Sequence, residues 1–206
     1  MTDYAAFAEL GVATVHEAAG RVGIVDLPLI QVVPGSRAAG PARIALCASG
    51  DNTMVHAVVA HADPGDVLVL TSTEPAPVAL VGELLATQAQ AQGVAAILVD
   101  GAVRDLDELA EIGLPVWTRF VRAQGATKGA VGELDVRVVI GGAEIRPGDI
   151  VVLDCDGAMA LPAERAAEVL PLALERAERE RAARQRYAAG ELSYDVNSLR
   201  EIVEGG

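Results

Sequence analysis

The chain has 206 residues, 51% of them hydrophobic, 22% charged and 3% aromatic, which is enough to bury a substantial core and too apolar for a disordered or fibrous protein. With 16 Lys and Arg against 29 Asp and Glu its formal charge is -13, which repels phosphate backbones and anionic membrane surfaces and argues against nucleic acid as a direct ligand. A small anionic ligand stays open, because one Arg, a helix N-terminus or a bound cation can reverse the field locally.

The first residues, MTDYAAFAELG, lack a basic segment followed by an apolar signal core, and no stretch approaches the roughly 20 apolar residues of a membrane span, so a cytoplasmic protein is expected. Thr14 to Glu17 reads as a capping box that opens a short helix ending near Ala19. A β-rich stretch follows, in which PARIALCAS forms a strand and ADPGDVLVLTS a turn feeding another, with Pro64-Gly65 at the centre of a type II turn.

From there strands and helices alternate: strand 67–71, a Pro-rich loop, helix 82–92, strand 94–99, helix 103–112 and strand 115–121, with Gly93 and Gly113 at the helix C-termini. Such alternation implies parallel pairing and an α/β class, with an interior built from Ala, Val, Leu and Ile. RPGDIVVLDCDG repeats the Pro-Gly turn at 147–148 before a strand and signals a second turn at Asp156-Gly157. A charged helical pattern runs from Pro162 to Ala189, bent or broken at Pro171, and DVNSLREIVEGG forms a last short helix that must dock to be stable. No linker divides the chain, so one domain is expected over 1–206, with an α/β core at 1–160 and a helical extension at 161–206.

Chemistry concentrates in two segments. Gly82-Glu83-Leu84-Leu85 opens a helix, and its free N–H groups suit a carboxylate. Asp100 to Asp105 follows the apolar run VAAILV and is expected to turn sharply at Gly101, presenting Arg104 and Asp105 together at the carboxyl end of the strands. Arg104 could clamp an anion while Asp105 offers a hard oxygen ligand for Mg²⁺ or Mn²⁺; equally, the pair could simply cap and charge a helix start.

The remaining candidates read as structural. His16, His56 and His61 show no metal-binding spacing and are expected to pack or hydrogen-bond. Lys128, in the polar loop QGATKGA, is expected in solvent rather than as a Schiff-base lysine. Cys47 and Cys155 border apolar runs without a CxxC spacing and read as buried, reduced thiols.

The segment GELLATQAQAQGVAAILVDGAVRD at 82–105 resembles the core signature of the RraA-like family, which includes 4-hydroxy-4-methyl-2-oxoglutarate/4-carboxy-4-hydroxy-2-oxoadipate aldolases and regulators of RNase E activity. GVATVHEAAGR, GDNTMVHA, LPVWTR and PGDIVVLDCDG extend the resemblance over nearly the whole chain. It implies a compact domain of the swivelling β/β/α type, assembled as trimers or hexamers. It further implies a class II aldolase that releases pyruvate from 4-hydroxy-2-oxo diacids and also decarboxylates oxaloacetate.

By that resemblance the backbone amides of Gly82 to Leu85 bind the pyruvate carboxylate, Arg104 contacts the substrate and Asp105 ligates Mg²⁺ or Mn²⁺ directly. Glu83, and Glu180 from a neighbouring subunit, hold metal-bound waters, with Glu175 and Glu178 close enough to Glu180 to compete for its register. The family's turn often carries Asp where this chain has Glu83, and TSTEPAPVALV departs from the family pattern and is expected to shape specificity. The rival expectations are a regulator acting by protein contact and a lyase or decarboxylase for another 2-oxo acid. The extension carrying Glu180 and GELSYD favours an enzyme over the shorter regulators. A methyltransferase is disfavoured, because no Gly-rich nucleotide loop follows an early strand.

Overall fold

The computed structural model describes residues 2–205. In chain order it comprises α1 (Tyr4–Ala18), β1 (Ile30–Gln31), β2 (Ala38–Cys47), α2 (Thr53–Ala60), β3 (Val67–Ser72), β4 (Ala79–Val81), α3 (Glu83–Ala91), β5 (Ala96–Val103) and α4 (Leu106–Ile112). These are followed by β6 (Val116–Val121), β7 (Glu133–Leu134), β8 (Val138–Ile140), β9 (Ala143–Ile145), β10 (Ile150–Asp154) and β11 (Gly157–Leu161). A 3₁₀ turn (Ala163–Arg165) then leads into α5 (Ala166–Ala188), α6 (Ser193–Val196) and α7 (Leu199–Glu204). No helix among the described residues is long and apolar enough to cross a membrane.

The main sheet runs β1-β6-β5-β3-β2-β10-β11, with β4 alongside β5 and β7 alongside β2. Its centre, β2-β3-β5-β6, is parallel, as the alternation of strands and helices predicts, and β10, β11 and β1 add antiparallel margins. Both faces of the parallel centre are covered, so its strands are continuous apolar runs rather than alternating ones. Along β3, Leu68 and Leu70 face a core shared with Val55 and Val58 of α2 and Leu85 and Ala89 of α3. Val67 and Val69 point the other way, to a core with Trp117 and the β8–β9 hairpin residues Val138, Ile140 and Ile145. A third core, containing Phe7, Val12, Val15, Ile150, Val152, Met159 and Val169, joins α1 and α5 to β10 and β11.

The two Pro-Gly turns form as the sequence predicts, and they share a further bond. In each, the fourth residue's amide donates to the first residue's carbonyl: Asp66 to Asp63 and Asp149 to Arg146, both at 3.1 Å. The glycines take φ 92° and 84°. Each fourth residue also returns a carboxylate to the first residue's amide, Asp66 to Asp63 and Asp149 to Arg146, both at 2.8 Å. These two carboxylates are buried, and desolvation raises both above the ordinary range.

Several sequence expectations are corrected. Thr14 does not open a helix: α1 starts at Tyr4, where Asp3 accepts the Ala6 amide at 3.0 Å. The helix breaks at Gly11 (φ 77°, ψ 171°) and resumes at Val12, whose amide donates at 2.9 Å to the buried Asp154 carboxylate, 142 residues away. A long-range cap thus replaces the local box, and Glu17 pairs forward with Arg21 at 3.1 Å. A Cβ at position 11 would stand 2.5 Å from Asp154 Oδ2, so that site requires glycine by space as well as by φ. The turn expected at Gly101 is absent, because β5 continues to Val103 through an irregularity between Val99 and Ala102. Helix α5 runs through Pro171 without a break, although this proline is the sixth residue of the helix and forgoes the bond to Ala167 O.

Cys47 is buried, which pushes its thiol up to about 11, but Cys155 is exposed on the β10–β11 turn. The terminal segment forms two short helices rather than one, and Leu199, Ile202 and Val203 on α7 face solvent in the single chain.

Asp154 also accepts the Asp156 amide at 2.8 Å, and its carbonyl accepts the Trp117 indole N–H at 2.8 Å. Asp154→Ala leaves two amides without partners, one of them buried, and is expected to destabilise by about 3 kcal/mol. Thermal unfolding followed by circular dichroism should then show a Tm about 6–12 °C below wild type. A shift below about 2 °C would show that the long-range cap contributes little.

Candidate active site

The N-terminus of α3 and the corner between β5 and α4 meet where β4 pairs with the end of β5. Arg104 N–H donates to Val81 O at 3.0 Å, which brings the corner against the turn that opens α3. Asp105 is the N-cap residue of α4 yet takes a left-handed conformation (φ 60°, ψ 49°) and does not cap its own helix. Its Oδ2 instead accepts the Glu83 amide at 3.1 Å, and it faces Arg104 Nε at 3.4 Å. Gly82 has an extended backbone, so its need for glycine is one of space: a Cβ there would lie 2.4 Å from Asp105 Oδ2 and 3.1 Å from Arg104 Nε.

These residues wall a cleft of about 130 Å³ lined by Gly82, Leu84, Leu85, Arg104 and Asp105 together with Asn52, His56 and Lys128. Leu84 and Leu85 lie in the first turn of α3, where amides have no intrahelical partner, so two N–H groups and the helix dipole meet the Arg104 guanidinium there. Five of the predicted site residues are thus gathered at one place, and Glu83 is exposed beside them in the first turn of α3. Glu180 is not among the residues of this cleft. It pairs with Arg176 at 2.9 Å and lines a separate groove between α1 and α5, together with Arg37, Arg181 and Arg184.

Two expectations from sequence change at this point. His16 and His61 place Nδ1 3.2 Å and 2.8 Å from the carbonyls of Val22 and Ala57, as predicted. His56, however, lines the cleft, with its Nε2 buried and unpartnered; burial, with Lys128 nearby, lowers its pKa below the ordinary value. Lys128 sits on an exposed loop, as expected, but that loop forms one wall of the cleft. Asn52, which sequence reasoning missed, is 7% exposed and donates to Leu80 O at 3.0 Å, while its Oδ1 has no partner. Its signal lay in the GDNTMVHA segment, but nothing local distinguishes a lining Asn from a helix cap.

Asp105 suits a hard divalent cation. One of its oxygens is committed to the Glu83 amide, and among the described residues its Oδ1 accepts no hydrogen bond. A single free carboxylate oxygen completed by water is a normal magnesium arrangement. The acidic group Asp154, Cys155 and Asp156 fits less well, because the two Asp154 oxygens already hold the amides of Val12 and Asp156.

The comparisons with known proteins cover this region. The family model for Aldolase/RraA, described as RraA-like, matches residues 12–160. A Halalkalibacterium halodurans protein named "Putative 4-hydroxy-4-methyl-2-oxoglutarate aldolase" is 35% identical over 131 residues, 64% of this chain and 62% of that protein, so the chain spans less than two thirds of that relative's length. A Burkholderia multivorans protein of the same name is 35% identical over 156 residues, 74% of this chain and 94% of that one. Among solved structures, a Streptomyces coelicolor protein described as an unusual member of the RNase ES inhibitor RraA protein family superposes with a TM-score of 0.78. The two are 28% identical, over 88% of this chain and 94% of that one. The matched stretch runs from the α1 break through α3, the Arg104–Asp105 corner and β10, and on that ground the chain belongs to the RraA-like, Aldolase/RraA family.

Proposed function

We propose that the cleft is the active site of a divalent-metal-dependent lyase that releases pyruvate from a 4-hydroxy-2-oxo diacid, with oxaloacetate decarboxylation as a second activity. One observation carries this reading: the free amides of α3, the Arg104 guanidinium and an Asp105 oxygen without a partner converge on one small cleft. That set matches a 2-oxo acid, whose carboxylate and adjacent carbonyl need hydrogen-bond donors and a cation side by side. The names of the Burkholderia and Halalkalibacterium relatives support the same substrate class.

In this reading the amides of Leu84 and Leu85 hold the substrate's 1-carboxylate at the positive end of α3. As the C3–C4 bond breaks, its electron pair moves toward the 2-keto oxygen and an enolate of pyruvate forms. Arg104 donates to that oxygen, so its contribution grows as the negative charge develops. A divalent cation held by Asp105, with Glu83 near its waters, would supply Lewis-acid stabilisation of the same charge. The C4 hydroxyl must lose a proton as it becomes a carbonyl, and a cleft water can take it. His56, whose pKa burial lowers, is one group of the chain in the cleft that can accept a proton.

In this reading Glu180 enters the site only from a neighbouring copy, in an assembly expected to be a closed ring of three or six subunits. The apolar face of α7, uncovered in the single chain, is consistent with such assembly. The rival reading, a regulator that binds an RNase E-type partner, draws on the Streptomyces coelicolor structure and would leave the cleft chemically idle.

The deciding experiment offers the purified protein, with Mg²⁺ or Mn²⁺, several 4-hydroxy-2-oxo diacids and oxaloacetate while pyruvate is measured. Chelation or Asp105→Ala should abolish turnover with the fold intact, and full activity in excess chelator would refute the metal-dependent mechanism. Arg104→Lys should lower kcat by roughly 100-fold or more, because Lys keeps the charge but loses the planar fork, with Tm near wild type. Near-normal turnover in that variant would mean that Arg104 only supports the corner. Light scattering should give a trimer or larger, and a clean monomer would remove Glu180 from the site.

A further inference from the structure

The loop that carries Lys128 is fastened on both sides of that residue. Asp51, 4% exposed, accepts the Thr53 amide at 2.8 Å through Oδ1 and the Ala130 amide at 3.2 Å through Oδ2, and the Thr127 hydroxyl, 3.1 Å from both Asp51 Oδ2 and Gly50 O, shares its one hydrogen between them. Thr53 Oγ1 accepts the Gly129 amide at 2.8 Å, the Asn52 amide donates to Thr127 O at 3.0 Å, and the Thr127 amide donates to Gly50 O at 2.9 Å. The loop backbone on either side of Lys128 is therefore committed to residues 50–53, while Lys128 itself lines the cleft.

A buried carboxylate held only by neutral donors is costly unless each of its bonds is used. Those bonds, the Thr53 amide first, hold the Asp51 carboxyl down to about 2, so it is charged throughout the neutral range. Asparagine could not replace it: its NH₂ would face either the Ala130 amide or the Thr53 amide, donor against donor.

We propose that Asp51 is a positioning residue of the cleft, latching the 127–130 loop so that Lys128 is held in the cleft wall and receives the second carboxylate of a dianionic substrate. The inference rests on the lyase reading for its substrate but on geometry for the latch. The cleft is lined by two cationic side chains, Arg104 and Lys128, besides the α3 amides, so a ligand with two carboxylates can engage both cations and a monocarboxylate only one. Holding the loop in place before binding spares the ligand the entropy of ordering it, and this appears in affinity rather than in the chemical step.

The test compares wild type with Asp51→Asn, Thr127→Val and Lys128→Met. Amide exchange at Gly129 and Ala130, followed by NMR, should speed up about 10-fold or more in Asp51→Asn and stay at the wild-type rate in Lys128→Met. Metal-free malonate should bind both of these variants several-fold more weakly than wild type, whereas acetate should bind all alike. KM for whichever diacid yields pyruvate should rise about 10-fold in Asp51→Asn, with kcat within about 3-fold of wild type. Thr127→Val removes one donor only and should shift exchange and malonate affinity in the same direction by less, which keeps the test open if Asp51→Asn fails to fold. Unchanged exchange overturns the latch, and freed amides with wild-type malonate affinity overturn the link to Lys128. If no diacid yields pyruvate, the lyase reading alone fails, and exchange and malonate binding still decide the latch.

Discussion

The cleft depends on the contact between the Glu83 amide and the Asp105 carboxylate, two groups 22 residues apart in sequence. This bond joins the start of α3 to the end of β5, and it forms only because Asp105 adopts φ 60° and turns its carboxylate away from its own helix. A left-handed aspartate carries a modest strain, which its short polar side chain tolerates better than most. The close approach also needs a bare Cα at Gly82, since a methyl group there would displace the carboxylate. Remove either condition and the corner is held to the start of α3 only by the Arg104 amide's bond to Val81 O and the pairing of β4 with β5.

Aspartates recur in this role throughout the molecule. Asp154 restarts α1 after Gly11, Asp66 and Asp149 close the two Pro-Gly turns, and Asp51 fastens the Lys128 loop. In each case a buried or nearly buried carboxylate satisfies main-chain amides that no regular element provides for. The pKa shifts at Asp51, Asp66 and Asp149 follow the balance between those bonds and burial. Asp51, with three donors, is driven down to about 2, whereas burial dominates at Asp66 and Asp149 and raises them. Part of the excess of acidic residues in the sequence is therefore internal scaffolding rather than surface charge.

The same arrangement explains how a chain of net charge -13 can present a site for an anion. The cleft gathers Arg104, Lys128 and the positive end of α3 at short range, and at that distance local groups outweigh a diffuse, salt-screened global charge. The acidic residues of α5 are largely paired along their own helix, as Glu175 with Arg179 and Glu178 with Arg181, and add little field at the cleft.

The α/β class, the parallel centre, both Pro-Gly turns and the spans of α3, β3 and β6 were legible in the sequence, because periodicity, turn chemistry and glycine caps act within a few residues. So were Gly82, Leu84, Leu85, Arg104 and Asp105 as a group, since they lie on two adjacent elements at the carboxyl ends of strands. The break at Gly11 was not legible, because its cap comes from Asp154; nor was the continuation of β5 through Gly101, because pairing with β4 and β6 extends it. His56 and Lys128 read as structural and solvent residues and Asn52 drew no reading, because only the packing of α2 and the 127–130 loop beside α3 and the Arg104 corner sets them in one cleft wall. Sequence fixes what short-range rules control, namely which segments are strands, helices and turns. Which side chains share a cavity is decided by contacts between residues tens of positions apart, whose free energy no local window contains.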